Sequence, residues 1–205
     1  MNPEFEKLHN YFKSFPGIGK RQAERFVYHI LSRDSIWVNG FVKEMLDVKK
    51  TVSECTECFY IFKNNSYKIC QFCRIESVDN KILAIVEKSA DIEILTQKIV
   101  WNGNFFVLGG QLPVIEKKKS VNIRITELLE RIAKLKEKGL EEIVICTSYN
   151  PDGVFTASVV KDKIREKFEN TFKITTLGRG FSSGTEIEYV DSETLKYAMQ
   201  NRADF

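Results

Sequence analysis

Apolar residues recur with two different periods along this chain, and the change of period divides it. Between residues 4 and 14 they fall at Phe5, Leu8, Tyr11 and Phe12, a spacing that predicts an amphipathic helix. A second helical stripe runs through Ala23, Phe26, Val27, Ile30 and Leu31. A third, over residues 37–52, takes in Trp37, Val38, Phe41, Val42, Met45, Leu46 and Val48. From Lys81 onwards short unbroken apolar runs alternate with helical stripes. Residues 82–86, 105–108, 142–146 and 173–177 predict strands, the first of them buried on both faces; residues 89–99, 125–140 and 156–169 predict helices. Strands alternating with helices argue for a mainly parallel sheet with helices on its faces. The expected class is therefore α+β in several parts: a helical start, a small middle piece, an α/β unit and a tail.

Between the first two stripes lies Phe15-Pro16-Gly17-Ile18-Gly19-Lys20. Pro16 cannot continue a helix, and glycine reaches backbone angles closed to other residues. Such a turn presents successive backbone N–H groups at the start of the second helix, where partial positive charge collects. A phosphate can sit there without any base being read. Gly17, Ile18 and Gly19 would supply the backbone contacts, and Lys20, Arg21 and Arg25 the cationic ones. A plain Pro-Gly turn between packed helices is the competing reading. Lys43, Lys49 and Lys50 form the polar side of the third stripe, a solvated face with DNA contact as the lesser alternative. His9 and His29 lie on predicted helices without acidic or cysteine neighbours and are expected at the surface or in packing.

The middle piece carries Cys55, Cys58, Cys70 and Cys73 in the pattern C-x2-C-x11-C-x2-C. Two thiolates separated by two residues can hold one metal ion from a tight turn, and two such turns complete a tetrahedral shell. Four sulfurs suit zinc or iron and leave no open position for catalysis, so one structural Zn2+ per chain is expected. A pair of disulfides or four free thiols is the alternative. Residues 59–69 read as a short hairpin turning at Asn64-Asn65-Ser66. It has so little apolar surface that the metal would supply its folding energy, on the order of 10 kcal/mol.

With 205 residues the chain can hold one large domain or two small ones. Net charge is only +3, so a polyanion must be met by a local patch. No apolar run approaches the ~18–20 residues of a membrane helix. Met1-Asn2-Pro3-Glu4-Phe5-Glu6 shows no signal peptide, and a cysteine metal cage beside an unpaired Cys146 fits a reducing compartment. The cytoplasm is the expected location.

Three sets of residues carry resemblances. Phe15-Pro16-Gly17-Ile18-Gly19 resembles a helix-hairpin-helix element, a DNA-binding motif without sequence preference. The α/β pattern, with Glu87 after its first strand, resembles a Toprim domain, whose active members add an Asp-x-Asp pair after a later strand. Here that position reads Thr147-Ser148-Tyr149-Asn150-Pro151-Asp152-Gly153. One carboxylate stands where two would share magnesium, which disfavours metal-assisted strand cleavage. Glu87, Asp91 and Asp152 all fall at strand ends, where ligands gather in such sheets. For Glu87 and Asp91 the alternative is a carboxylate favoured by a helix start.

The order of these parts is similar to the RecR family of bacterial recombination mediators. The likeness is carried further by Val107-Leu108-Gly109-Gly110, by Gly184-Thr185-Glu186-Ile187-Glu188-Tyr189-Val190-Asp191 and by the ending from Glu193 to Arg202. It implies four segments: helix-hairpin-helix over 1–53, a zinc finger over 54–78, Toprim over 79–177, and a tail over 178–205. The tail would hold a Walker B-like strand at 186–191 and join copies. No phosphate-cradling G-x-x-x-x-G-K-[ST] accompanies it, so Asp191 is expected to cap the final helix. The resemblance further implies a homodimer or homotetramer ring and binding of single- and double-stranded DNA. It implies no catalysis. Instead, RecO-type and RecF-type partners would help load RecA on single strands coated with single-strand-binding protein. Glu87, Asp91 and Asp152 would then form a partner-docking face. A magnesium-dependent Toprim nuclease or primase-like enzyme is the rival, and a plain zinc-stabilised DNA-binding module a third reading. The chain departs from the family's usual pattern after Gly110. There a loop rich in Ser, Pro and Gly is replaced by Gln111-Leu112-Pro113-Val114-Ile115-Glu116 and three lysines, which could add a DNA or partner contact.

Overall fold

The computed structural model describes residues 3–63, 66–75, 77–99, 101–115, 123–178 and 180–202. The Asn64-Asn65 turn and the lysines at 117–119 lie outside them. The chain falls into two compact units, Met1–Val52 and Ser53–Phe205.

The first unit is three helices: α1 (Pro3–Lys13), α2 (Lys20–Leu31) and α3 (Ser35–Thr51). Phe5 meets Tyr28 and Phe12 meets Phe26, each pair of ring centroids 5.4 Å apart, and these contacts join α1 to α2. Ala23 and Val27 are the buried residues of α2. His9 adds a hydrogen bond from Nε2 to the Lys20 carbonyl, 3.1 Å, which makes it a packing residue as expected. Asp34 starts α3 by accepting from Trp37 N at 2.8 Å. The apolar stripe of α3 is only partly covered among the described residues: Trp37, Phe41, Val42, Met45, Leu46 and Val48 are each more than a third exposed.

The second unit is built on β3 (Asp79–Val86), β4 (Gly103–Val107), β5 (Glu142–Cys146) and β6 (Lys173–Thr176), in the order β4-β3-β5-β6. Every neighbouring pair is parallel, as the alternation of strands and helices demands. One face carries Leu83, Ile85, Phe106, Ile143 and Ile145 against α6 (Ile125–Lys136) and α7 (Pro151–Phe168). The other carries Ala84, Val86, Phe105 and Val107 against Ile92 of α5 (Ser89–Lys98) and against the cysteine segment.

The cysteine segment therefore occupies a place that a second helix takes in an ordinary doubly covered sheet. Its Tyr60 and Phe62 are 6% exposed, and Phe72 packs edge-on against both Tyr60 and Phe105. It consists of β1 (Val52–Glu54), β2 (Ile61–Lys63) and the short helix α4 (Gln71–Arg74). The expected hairpin over 59–69 is corrected: β2 pairs with β1, upstream of the first cysteine. The first cysteine turn itself reverses the chain, with Phe59 N donating to Cys55 O and Cys55 N to Tyr60 O, both at 2.9 Å.

Two further boundaries differ from the pattern. Helix α7 begins five residues earlier than its stripe, because Asn150 caps it by accepting from Gly153 N at 2.7 Å and Pro151 takes the first helical position. The strand expected at 186–191 is instead a single 3-10 turn, Ile187–Tyr189. Its backbone is satisfied locally, Tyr189 N bonding to Glu186 O and Val190 N to Ile187 O, and the sheet ends at β6. Asp191 does cap the last helix, α8 (Ser192–Gln200). The Thr194 backbone and hydroxyl donate to it and hold its carboxyl below the usual range.

Candidate functional site

The four cysteines converge. Their Sγ atoms lie within 4.8 Å of one another, those of Cys58 and Cys70 3.5 Å apart, and Cys55, Cys58 and Cys70 are fully buried. A tetrahedron of thiolates about 2.3 Å from a central zinc has edges of about 3.8 Å, so the donor set and its spacing fit one four-coordinate ion. Backbone contacts bring the two turns together. Thr56 N donates to Lys68 O at 3.0 Å, and Cys70 N donates to the Cys55 sulfur at 3.3 Å. Contacts from Cys58, Cys70 and Cys73 pull the Cys55 thiol down, while contacts from Cys55, then Cys70 and Cys73, push the Cys58 thiol up. Four thiols this close cannot all ionise without a cation among them.

Phe59, directly after the second cysteine, takes φ 60°, a left-handed conformation that a bulky residue adopts only when its surroundings hold it there. Its ring stands edge-on to Phe106, centroids 5.4 Å apart, with the Arg124 guanidinium 4.8 Å above it. Arg124 also pairs with Glu54. On the other side Glu57, inside the first cysteine turn, pairs with Arg131 and Lys134 of α6. Sequence reasoning missed these five charged residues. The available signals were Glu57 between two metal-binding positions, and Arg131 on the apolar stripe of α6 between Leu128 and Leu135.

At the carboxyl ends of β3 and β5 lies a hollow of about 300 Å3 whose lining includes Glu87, Asp91, Cys146, Ser148 and Leu177. Glu87 is 4% exposed and is held by the protein itself. It accepts from Ser148 N at 2.6 Å, Ser148 Oγ at 3.1 Å and Gln111 Nε2 at 2.7 Å. Asp91 accepts from Lys88 N at 2.8 Å, closing the first turn of α5, and Asp152 accepts from Val114 N at 3.0 Å. The structure thus places all three acids at strand ends but does not join them in one cluster. The loop at 111–114 is tied down over this end by Gln111, Leu112 and Val114; Leu112 N bonds to Thr156 Oγ1 at 2.8 Å. Burial, and then the nearby Asp91 charge, push the Cys146 thiol up to about 11.

The glycine turn between α1 and α2 is tight. Gly17 takes φ +74°, and Ile18 N bonds back to Phe15 O at 3.1 Å. Gly19 starts α2 with no side chain capping it, and no acidic residue stands in the first turn. Lys20, Arg21 and Arg25 are exposed, and the Arg25 guanidinium donates to Gln22 Oε1 at 3.4 Å. Among the described residues no helix is long and apolar enough to cross a membrane.

Comparison with known proteins agrees with this geometry. Residues 81–177 match the Toprim domain and residues 182–203 match "RecR, C-terminal". The recombination protein RecR of Desulforapulum autotrophicum is 32% identical over 203 residues, covering 98% of each chain. That of Aquifex aeolicus is 31% identical over 190 residues, 93% of this chain and 87% of its own. That of Psychrobacter cryohalolentis is 28% identical over 203 residues, 99% of this chain and 98% of its own. With a Toprim sheet, a four-cysteine centre packed on one of its faces and relatives that align from end to end, this chain belongs to the RecR family.

Proposed function

We propose that the protein is a zinc-stabilised, DNA-binding mediator of recombinational repair that performs no chemistry of its own. The observation that carries this reading is the open start of α2: uncapped backbone N–H groups, no acidic residue in its first turn and three exposed cations. Each such turn neutralises about 2 phosphates, so one copy binds weakly and with a salt dependence near the 0.7–0.9 power per phosphate. Several copies in one ring multiply that grip by avidity. The exposed part of the apolar stripe of α3 supports assembly of copies as a dimer or tetramer. The division of labour follows the chain. Residues 1–53 grip single- or double-stranded DNA, 54–78 hold one zinc ion, 79–177 dock a partner and 178–205 join copies, in the cytoplasm.

Docking of a basic partner of RecO or RecF type falls to Asp91 and Asp152 at the strand ends. Glu87, with its oxygens turned to Ser148 and Gln111, holds that surface together from beneath. Loading of RecA onto coated single strands would follow from such docking. The rival, a magnesium-dependent nuclease or primase, draws less support, since each of the three acids already serves a protein donor. Charge reversal of Arg21 and Arg25 together tests the main reading: retention of a single-stranded oligonucleotide at low salt is expected to be lost. Undiminished retention would place the DNA site elsewhere.

A further inference from the structure

We infer that Arg131 is a positioning residue for the cysteine metal centre, offsetting the charge of its thiolate shell and fastening that shell to the sheet. The inference rests on the zinc reading above. Four thiolates around a dication leave two negative charges uncompensated, and such charge in a buried place needs a cation beside it.

Arg131 supplies one. It is 8% exposed, so that its guanidinium lies almost wholly inside the protein. One of its nitrogens stands 4.0 Å from Cys73 Sγ and donates to Asn104 Oδ1 at 3.1 Å; the other terminal nitrogen pairs with Glu57; Nε has no hydrogen-bond partner. Glu57 lies within the first cysteine turn, Cys73 ends the second, and Asn104 is on β4. A single side chain therefore touches both halves of the metal centre and the strand beneath.

Packing alone does not ask for arginine here. Leu128 and Leu135, three residues before and four after on α6, are buried apolar side chains, and Ile132 beside it is as well. Glu57 is the carboxylate partner, and it is shared with Lys134 at 3.2 Å. A guanidinium buried with half a carboxylate and an orphaned Nε is unfavourable unless further negative charge stands close. The metal-bound sulfur of Cys73 is that charge. Outer partners of this kind hold metal ligands in place, and their removal lowers metal affinity by about 10–100-fold.

The test uses the full chain loaded with zinc. Arg131→Met keeps much of the volume and removes the charge. It is expected to surrender zinc to a competing chromogenic chelator at about 10–100-fold lower chelator concentration, and Arg131→Lys to recover most of the loss. A merely structural role is separated by melting: the difference between wild type and Arg131→Met should be large with zinc bound and shrink once zinc is stripped. In the cobalt-substituted protein the sulfur-to-metal absorption band should shift in Arg131→Met. Equal zinc retention, or an equal melting difference with and without metal, overturns the inference alone. Wild-type protein that takes up no zinc overturns the zinc reading and the inference with it.

Discussion

A methyl group added at Gly153 would stand 2.1 Å from the Ser148 carbonyl oxygen and 3.2 Å from Asn150 Oδ1. The backbone cannot absorb that approach without moving Ser148, whose N–H is the 2.6 Å donor to Glu87. Alanine ordinarily improves a helix by about 1 kcal/mol over glycine. Here Gly153→Ala is expected to do the reverse and destabilise the protein by about 1–3 kcal/mol, read from chemical denaturation. A neutral or stabilising result would mean that the turn before α7 yields easily. The same residues show what sequence left hidden. Asp152-Gly153 is legible as an acid beside a glycine, but the need for glycine comes from a carbonyl five residues back that only the folded turn brings near. Glu87 is legible as a strand-end acid, and nothing local says that Gln111 and Ser148 consume it.

Among the elements, the cysteine segment departs furthest from its expected character. Read alone, it depends on metal because it has too little apolar surface. In the fold Phe62, Tyr60 and Phe72 share one core with Phe105, Val107 and Ile92, so packing and metal act together. Phe62→Ala, with zinc bound, is accordingly expected to cost about 3–5 kcal/mol, the range for emptying a large aromatic position in a core. A shift within error would show that the metal alone holds the segment. Helix α2 was the most legible element, because its stripe, its glycine turn and its cations are all local. The start of α7 was not, since Asn150-Pro151 serves equally as a loop after a strand or as a cap and first residue of a helix. The tail failed for a different reason. A strand needs a neighbour, and residues 186–191 have none among the described residues.

For the whole molecule the exposed apolar face of α3 matters most. Its apolar residues keep helical spacing, yet among the described residues none of them is fully buried. A face of that kind is expected to be covered by another copy. Phe41→Glu combined with Met45→Glu should therefore lower the sedimenting mass while leaving helix content intact, since neither side chain is in the chain's own core. DNA retention should fall with it, because separated turns lose avidity. Unchanged mass would assign the assembly to another surface.

Local residue order was sufficient for the helical stripes, the glycine turn, the metal-ligand spacing and the parallel α/β alternation, because each arises from periodicity or from groups a few residues apart. Three-dimensional packing alone decided that β2 pairs backwards to β1, that the cysteine segment covers one face of the sheet, and that Glu87 is locked in place. It alone brought Arg131 within reach of Cys73, 58 positions away. Those outcomes rest on contacts between distant segments, and a pattern read along one dimension contains no distances across the fold.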